Sequence, residues 1–225
     1  MARISRIVVP HYPHHVTQRG VRSIPVFHTD SDRRRYLEFL RVEINRFGVN
    51  ILAWCLMTNH VHFIAVPQSE TALARAFGEA HRRYTRMKNF EEGARGYLFQ
   101  GRFSSVVLDE RHLMAAARYI ELNPVRACMV GHAWEYAWSS AAFHAELRAV
   151  DPLVKEKTLP MLAGNWREFL SGSDEKEMDA LRMATRTGRP VGDEEFLTEL
   201  SKITGKKVTR SRPGRPRKKA GTEME

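Results

Sequence analysis

Two apolar runs, residues 50–56 (NILAWCL) and 60–66 (HVHFIAV), are separated by only Met57, Thr58 and Asn59. Each run is strand length, and a three-residue connection can join two paired strands only if they are antiparallel. This hairpin sits between two helical patterns. Residues 31–47 open with a Ser/Asp cap, place Tyr36, Phe39, Leu40 and Ile44 at helical spacing, and stop at Gly48. Residues 71–88 repeat that spacing with Leu73, Ala76, Phe77 and Ala80. A proline-interrupted strand is expected over 6–18, a strand with a glycine bulge over 97–108, and an Ala-rich helix over 110–122 that ends before Asn123-Pro124. The order strand, helix, strand, strand, helix, strand, helix predicts an α+β fold: a ferredoxin-like (RRM-like) sandwich on a four-stranded antiparallel sheet.

Beyond residue 150 the pattern weakens. Short helices are expected over 153–170 and 174–185, and a capped helix from Gly192-Asp193 to a glycine stop. The chain therefore divides into a main domain, 1–150, a small helical extension, 151–205, and a basic tail, 206–225. The tail is Pro/Gly-rich and charged, and is expected to be disordered on its own. Residues 201–225 carry nine Lys/Arg and two Glu, so +7 of the chain's net +10 lies there. That concentration favours a polyanionic partner, and the folded part adds local clusters at Arg33-Arg34-Arg35 and at Arg82, Arg83, Arg86 and Lys88. Cys55 and Cys128 alone exclude a disulfide framework and a Cys-rich zinc site. No apolar run approaches the ~20 residues of a membrane span, and the first residues lack a secretory pattern. A reducing cytoplasm is expected.

In the second strand of the hairpin, alternation puts His60 and His62 on one face and Val61 on the other. Taken alone, this H-x-H pair is either two structural histidines or two nitrogen ligands for a divalent cation. On the helix at 110–122, Tyr119 and Asn123 stand four residues apart on one face. They are either a sheet-packing tyrosine and a terminal cap, or a nucleophile with an amide oxygen one turn away. Tyr84 competes as a nucleophile, but its i+4 residue, Lys88, cannot ligate, so packing or contact with the polyanionic partner is expected there. His14 can approach the histidine pair, although a surface or backbone-binding role is expected for His11, His14 and His15. His28, His81, His112, His132 and His144 read as structural.

The strand MTNHVHF, the stretch GYLFQGRFSSVVL, the helix RYIELNPVRACMV and the following WEYAWSS together resemble the HUH single-tyrosine transposases. They are most similar to the REP-associated, insertion-sequence-like branch, from the first strand to about residue 145. The resemblance implies His60, His62 and Asn123 as metal ligands, with Mg²⁺ or Mn²⁺ as cofactor; Zn²⁺ is compatible by ligand type. It implies Tyr119 as the nucleophile of a strand transfer on single-stranded, hairpin-forming DNA, through a 5′-phosphotyrosine and a free 3′-hydroxyl. Such a protein is expected to be cytoplasmic and associated with a bacterial-type nucleoid. Monomer and homodimer both remain open. The alternatives are a hairpin-binding protein without catalysis and an HUH replication initiator or relaxase. Arg82, Arg83, Arg86, Lys88 and Arg102 are the expected DNA contacts of the folded part. In the tail, PGRPRK (with Arg215, Arg217 and Lys218, and Arg212 just before it) reads as an AT-hook for the minor groove or as a generic phosphate-binding arm.

Overall fold

The structure, a computed structural model, describes residues 6–172, 175–206 and 208. Four strands form one antiparallel sheet: β1 (His14–Arg19), β2 (Val49–Leu56), β3 (His60–Pro67) and β4 (Ser104–Val107). Their order across the sheet is β2-β3-β1-β4, so β1 and β3 lie at the centre, flanked on both sides. In their register Thr17 faces His62, and Arg19 faces His60. Residues directly opposite share a face, so the odd-numbered side of β1 and the even-numbered side of β3 form a single surface.

Helices α1 (Asp30–Phe47) and α2 (Ala72–Glu91) cover the opposite face. A capping box between Thr29 and Asp32 starts α1, its N-cap two residues before Ser31 of the expected Ser/Asp cap, and Gly48 ends it at φ 66°. Glycine tolerates that left-handed conformation without a Cβ clash. Val16, Val61, Phe63 and Ala65 point into the core that these helices make with Tyr36, Leu40, Phe77 and Tyr84. An irregularity between Ile51 and Ala53 re-aims β2: Ala53 and Cys55 join the second core, while Ile51 and Trp54 belong to the first.

The second core lies under α3 (Glu110–Glu121), α4 (Asn123–Arg126), α5 (Ala141–His144), α6 (Thr158–Ala163), α7 (Trp166–Ser171) and α8 (Glu175–Thr187). Asp109 caps α3 through the His112 amide. The fully buried Glu121 carboxylate accepts from Ser140 at 2.5 Å, His144 Nδ1 at 2.7 Å and Trp166 Nε1 at 2.7 Å. It thereby ties the end of α3 to the following helices. A last helix, α9 (Glu194–Thr204), capped by Asp193, packs Leu200 against Ile7, Val9 and Val107.

Larger departures from the sequence reading lie elsewhere. The first strand starts at His14 rather than residue 6, and the last is only Ser104–Val107. Gly96 and Gly101 adopt φ of 107° and 61°, which breaks extended pairing, and residues 98–100 touch the β1 end through isolated bonds only. The single helix expected over 153–170 is two, interrupted at Gly164 with φ 72°. Of the basic tail, Arg212, Arg215, Arg217 and Lys218 lie outside the described residues. Among the described residues no helix is long and apolar enough to cross a membrane.

Candidate active site

The surface shared by β1 and β3 carries His15, Thr17 and Arg19 beside His60 and His62, and α3 lays Tyr119 across it. His60 Nδ1 lies 2.6 Å from Asn59 Oδ1, and Asn59 Nδ2 donates to Ser23 O at 3.1 Å. The amide is thus oriented with its oxygen toward the imidazole, so His60 donates from Nδ1. His62 Nδ1 meets His15 Nε2 at 2.9 Å, with the two rings stacked 10° from parallel. Both strand histidines therefore spend Nδ1 inside the protein, and Nε2 is the remaining nitrogen of each. Burial pushes His60 down to about 4 and His15 to about 3, and it drives His62 well below the ordinary imidazole value. All three are neutral at physiological pH, as nitrogen ligands must be.

The Tyr119 ring stands nearly perpendicular to His62, 5.6 Å between centroids, and 6.1 Å from His15. The Arg126 guanidinium stacks over its ring at 4.2 Å. Arg182 of α8 holds its guanidinium 5.8 Å from the ring centroid, near enough for an electrostatic interaction with the phenol. A cavity of about 460 Å³ opens here, lined by His60, His62, Tyr119, Arg19, Arg102 and Arg182 among others. Next to it is an apolar-floored cavity of about 650 Å³, which shares Gln18 and Arg102 and is rimmed by Arg82 and Arg86.

Two imidazoles with Nε2 unspent suit a divalent cation. Asn123 fits less well in this arrangement. Its Oδ1 accepts from Arg126 at 2.8 Å, and its buried Nδ2 has no hydrogen-bond partner among the described residues. An amide N–H cannot ligate a cation, and Arg126 takes one of the oxygen's two lone pairs while its charge opposes a cation on the other. Arg126 and Arg19 also disfavour positive charge at His62. Among the described residues no cluster of three His, Cys, Asp or Glu side chains exists to hold a metal.

Other sequence-predicted residues fall elsewhere. Lys88 is buried and ion-paired with Asp32 at 3.1 Å and with Glu91 and Glu92, which departs from a DNA contact. Its ammonium stays inside because Asp32 is needed there to cap α1. Arg83 bridges Glu43 at 2.8 Å, and Arg82 pairs with Glu79. Tyr84 is fully buried, its hydroxyl donating to Val26 O, so it packs. His14 is buried on the far face and bonded to Val9 N and Tyr12 O. It is neither a surface group nor a neighbour of the pair; His15, one residue on, fills that place. The sequence reading also passed over Arg126, although it stands in the quoted motif, and Arg182 and Thr185, which no local pattern marks.

Two solved structures are similar to this chain. The structure of a REP-associated tyrosine transposase bound to a REP hairpin superposes with a TM-score of 0.57 at 16% identity, over 71% of this chain and 93% of that one. A putative transposase from Deinococcus radiodurans R1 gives a TM-score of 0.36 at 19% identity, over 53% of this chain and 96% of that one. At these identities the first likeness speaks for the fold. No curated protein matches. The family model described as "Transposase IS200 like" matches residues 8–123, from the approach to β1 through the strand histidines, Tyr119 and Asn123. The chain belongs to the IS200-like transposase family.

Proposed function

We propose that this protein cleaves and rejoins single-stranded DNA at palindromic, REP-like hairpins by transesterification from Tyr119. The carrying observation is the packing of the Tyr119 ring against His62, at the mouth of a cavity walled by arginines. In cleavage the phenol oxygen attacks phosphorus and its proton leaves to solvent. The P–O3′ bond breaks, and its electron pair departs with O3′, which is protonated to the free 3′-hydroxyl. A 5′-phosphotyrosine remains. Rejoining is the reverse attack by a 3′-hydroxyl, and needs no ATP because the phosphodiester energy is retained in the linkage.

His60 and His62 would hold Mg²⁺ or Mn²⁺ through Nε2, joined by Asn123 Oδ1 through the lone pair that Arg126 does not take. Such an ion, when bound, supplies Lewis-acid stabilisation of charge on the phosphate. Arg19, Arg102 and Arg182 draw the anionic backbone into the cavity, and the Arg126 guanidinium stacked over the Tyr119 ring orients the phenol for attack. Arg82 and Arg86, with Arg102, line the adjoining cavity and would extend the nucleic-acid surface. The hairpin in the similar transposase structure supports a hairpin substrate here.

One observation favours a second reading, hairpin binding without cleavage: Asn123 Oδ1 is held by a guanidinium. Incubation with a set of hairpin oligonucleotides and Mg²⁺ or Mn²⁺ decides between them. Wild type is expected to give a covalent 5′ adduct, and Tyr119→Phe none. Binding without any adduct selects the second reading, and an adduct from Tyr119→Phe removes the nucleophile assignment.

A further inference from the structure

Helix α8 lies outside the family-matched stretch, yet it sends two side chains one turn apart, Arg182 and Thr185, into the cavity. Its seating on the sheet edge is direct, since Ser104 Oγ of β4 donates to Thr185 O at 3.0 Å. Thr185 Oγ1 lies 2.8 Å from Leu181 O and 3.2 Å from His15 Nδ1. A hydroxyl has one proton. A carbonyl can only accept, so that proton goes to Leu181 O, and toward His15 the oxygen is an acceptor.

The remaining protons follow by elimination. His15 must donate from Nδ1 to Thr185, and a neutral imidazole has a single N–H, so its Nε2 carries a lone pair. The 2.9 Å contact between His15 Nε2 and His62 Nδ1 is then a hydrogen bond only if His62 is the donor. His62 is thereby left with its lone pair on Nε2. Had the Thr185 hydroxyl pointed the other way, both rings would take the opposite tautomer, and His62 Nε2 would carry a proton in place of the lone pair a cation needs. His60 is set locally, by Asn59 in its own hairpin. His62 is set from 123 residues downstream.

We propose that Thr185 is a positioning residue which, through His15, selects the His62 tautomer able to bind a divalent cation. The proposal rests on His60 and His62 being the ligand pair, and its test is chosen to separate the two. Long-range ¹H–¹⁵N NMR of histidine-labelled, metal-free full-length protein reads the tautomer directly. Wild type is expected to show His62 protonated at Nδ1. Thr185→Val keeps the shape but removes the acceptor, and is expected to give mixed tautomers at His15 and His62. It should also bind Mn²⁺ about tenfold more weakly by calorimetry, in the range expected when a ligand's hydrogen-bond partner is lost. Thr185→Ser, which restores the hydroxyl, should return both readouts to wild type.

A wild-type His62 protonated at Nε2 overturns the proposal without any variant. So does unchanged Mn²⁺ affinity in Thr185→Val, or a failure of Thr185→Ser to restore it. Failure of the ligand-pair reading looks different: wild type does not bind Mn²⁺, or His60→Ala binds it equally well, whatever the tautomer.

Discussion

Lowering the pH from 7.5 to 5.5 should weaken this fold steeply, and His81 allows the cause to be isolated. Its ring is sealed between Phe77 and Phe99, 4.4 Å from the latter, with Nε2 on the Tyr36 hydroxyl. Burial pushes it from 6.5 down to about 3. The unfolded chain therefore takes up a proton near 6.5 that the folded chain refuses. The folded state's advantage is complete above that value and is lost as pH falls through the window toward 3. Over the chosen interval the linkage is worth about 1.4 kcal/mol for one such histidine. His14, His15 and His60 are displaced in the same direction, to about 4, 3 and 4, so the four together cost about 5 kcal/mol, comparable to the whole stability of many domains. Urea unfolding at both pH values, for wild type and His81→Gln, measures this. The variant's absolute stability is irrelevant; its acid-induced loss should be smaller by about 1.4 kcal/mol. An identical loss in both proteins refutes the argument that burial keeps His81 neutral.

Other consequences are more local. Glu121→Ala leaves the Ser140, His144 and Trp166 donors without their carboxylate, and should destabilise by about 3–5 kcal/mol in the same unfolding assay. Gly48→Ala combines φ 66° with a Cβ pressed into the Gln68 side-chain amide, and should cost about 1–2 kcal/mol, seen as a lower Tm. Arg126→Gln removes a guanidinium that opposes positive charge at His62 and occupies Asn123 Oδ1. Mn²⁺ affinity measured by calorimetry should rise about fivefold, corresponding to roughly 1 kcal/mol. Unchanged affinity would remove Asn123 from the ligand set.

The hairpin, the two helices behind it and the α3 helix were legible because each is a local pattern: a period, a cap or a glycine stop. His60 and His62 shared that legibility through strand alternation, and Tyr119 and Asn123 through helical spacing. What could not be read was parity between strands. Whether His14 or His15 faces the pair depends on whether Thr17 or its neighbour sits opposite His62, and a one-residue slip exchanges the faces. Lys88 failed for a related reason: its partner Asp32 lies 56 residues away in sequence, on another helix. A run of basic residues looks the same whether its members are solvated or paired.

The same limit explains why the chemistry of the site is divided unevenly along the chain. Tyr119, Asn123, His60 and His62 all fall within residues 8–123, where the family model matches. Arg126 lies three residues past that stretch, and Arg182 and Thr185 lie far beyond it. These later residues supply little that a sequence pattern marks, yet they surround the candidate site: Arg126 bonds Asn123, Arg182 lies beside the Tyr119 ring, and Thr185 meets the histidine behind His62. If α8 were an accessory layer, its Thr185 hydroxyl could be lost at no cost to metal affinity. A hydrogen-bonded chain running from a helix carbonyl through Thr185 and His15 to His62 makes the opposite expectation, because each link has one proton and only one place to put it.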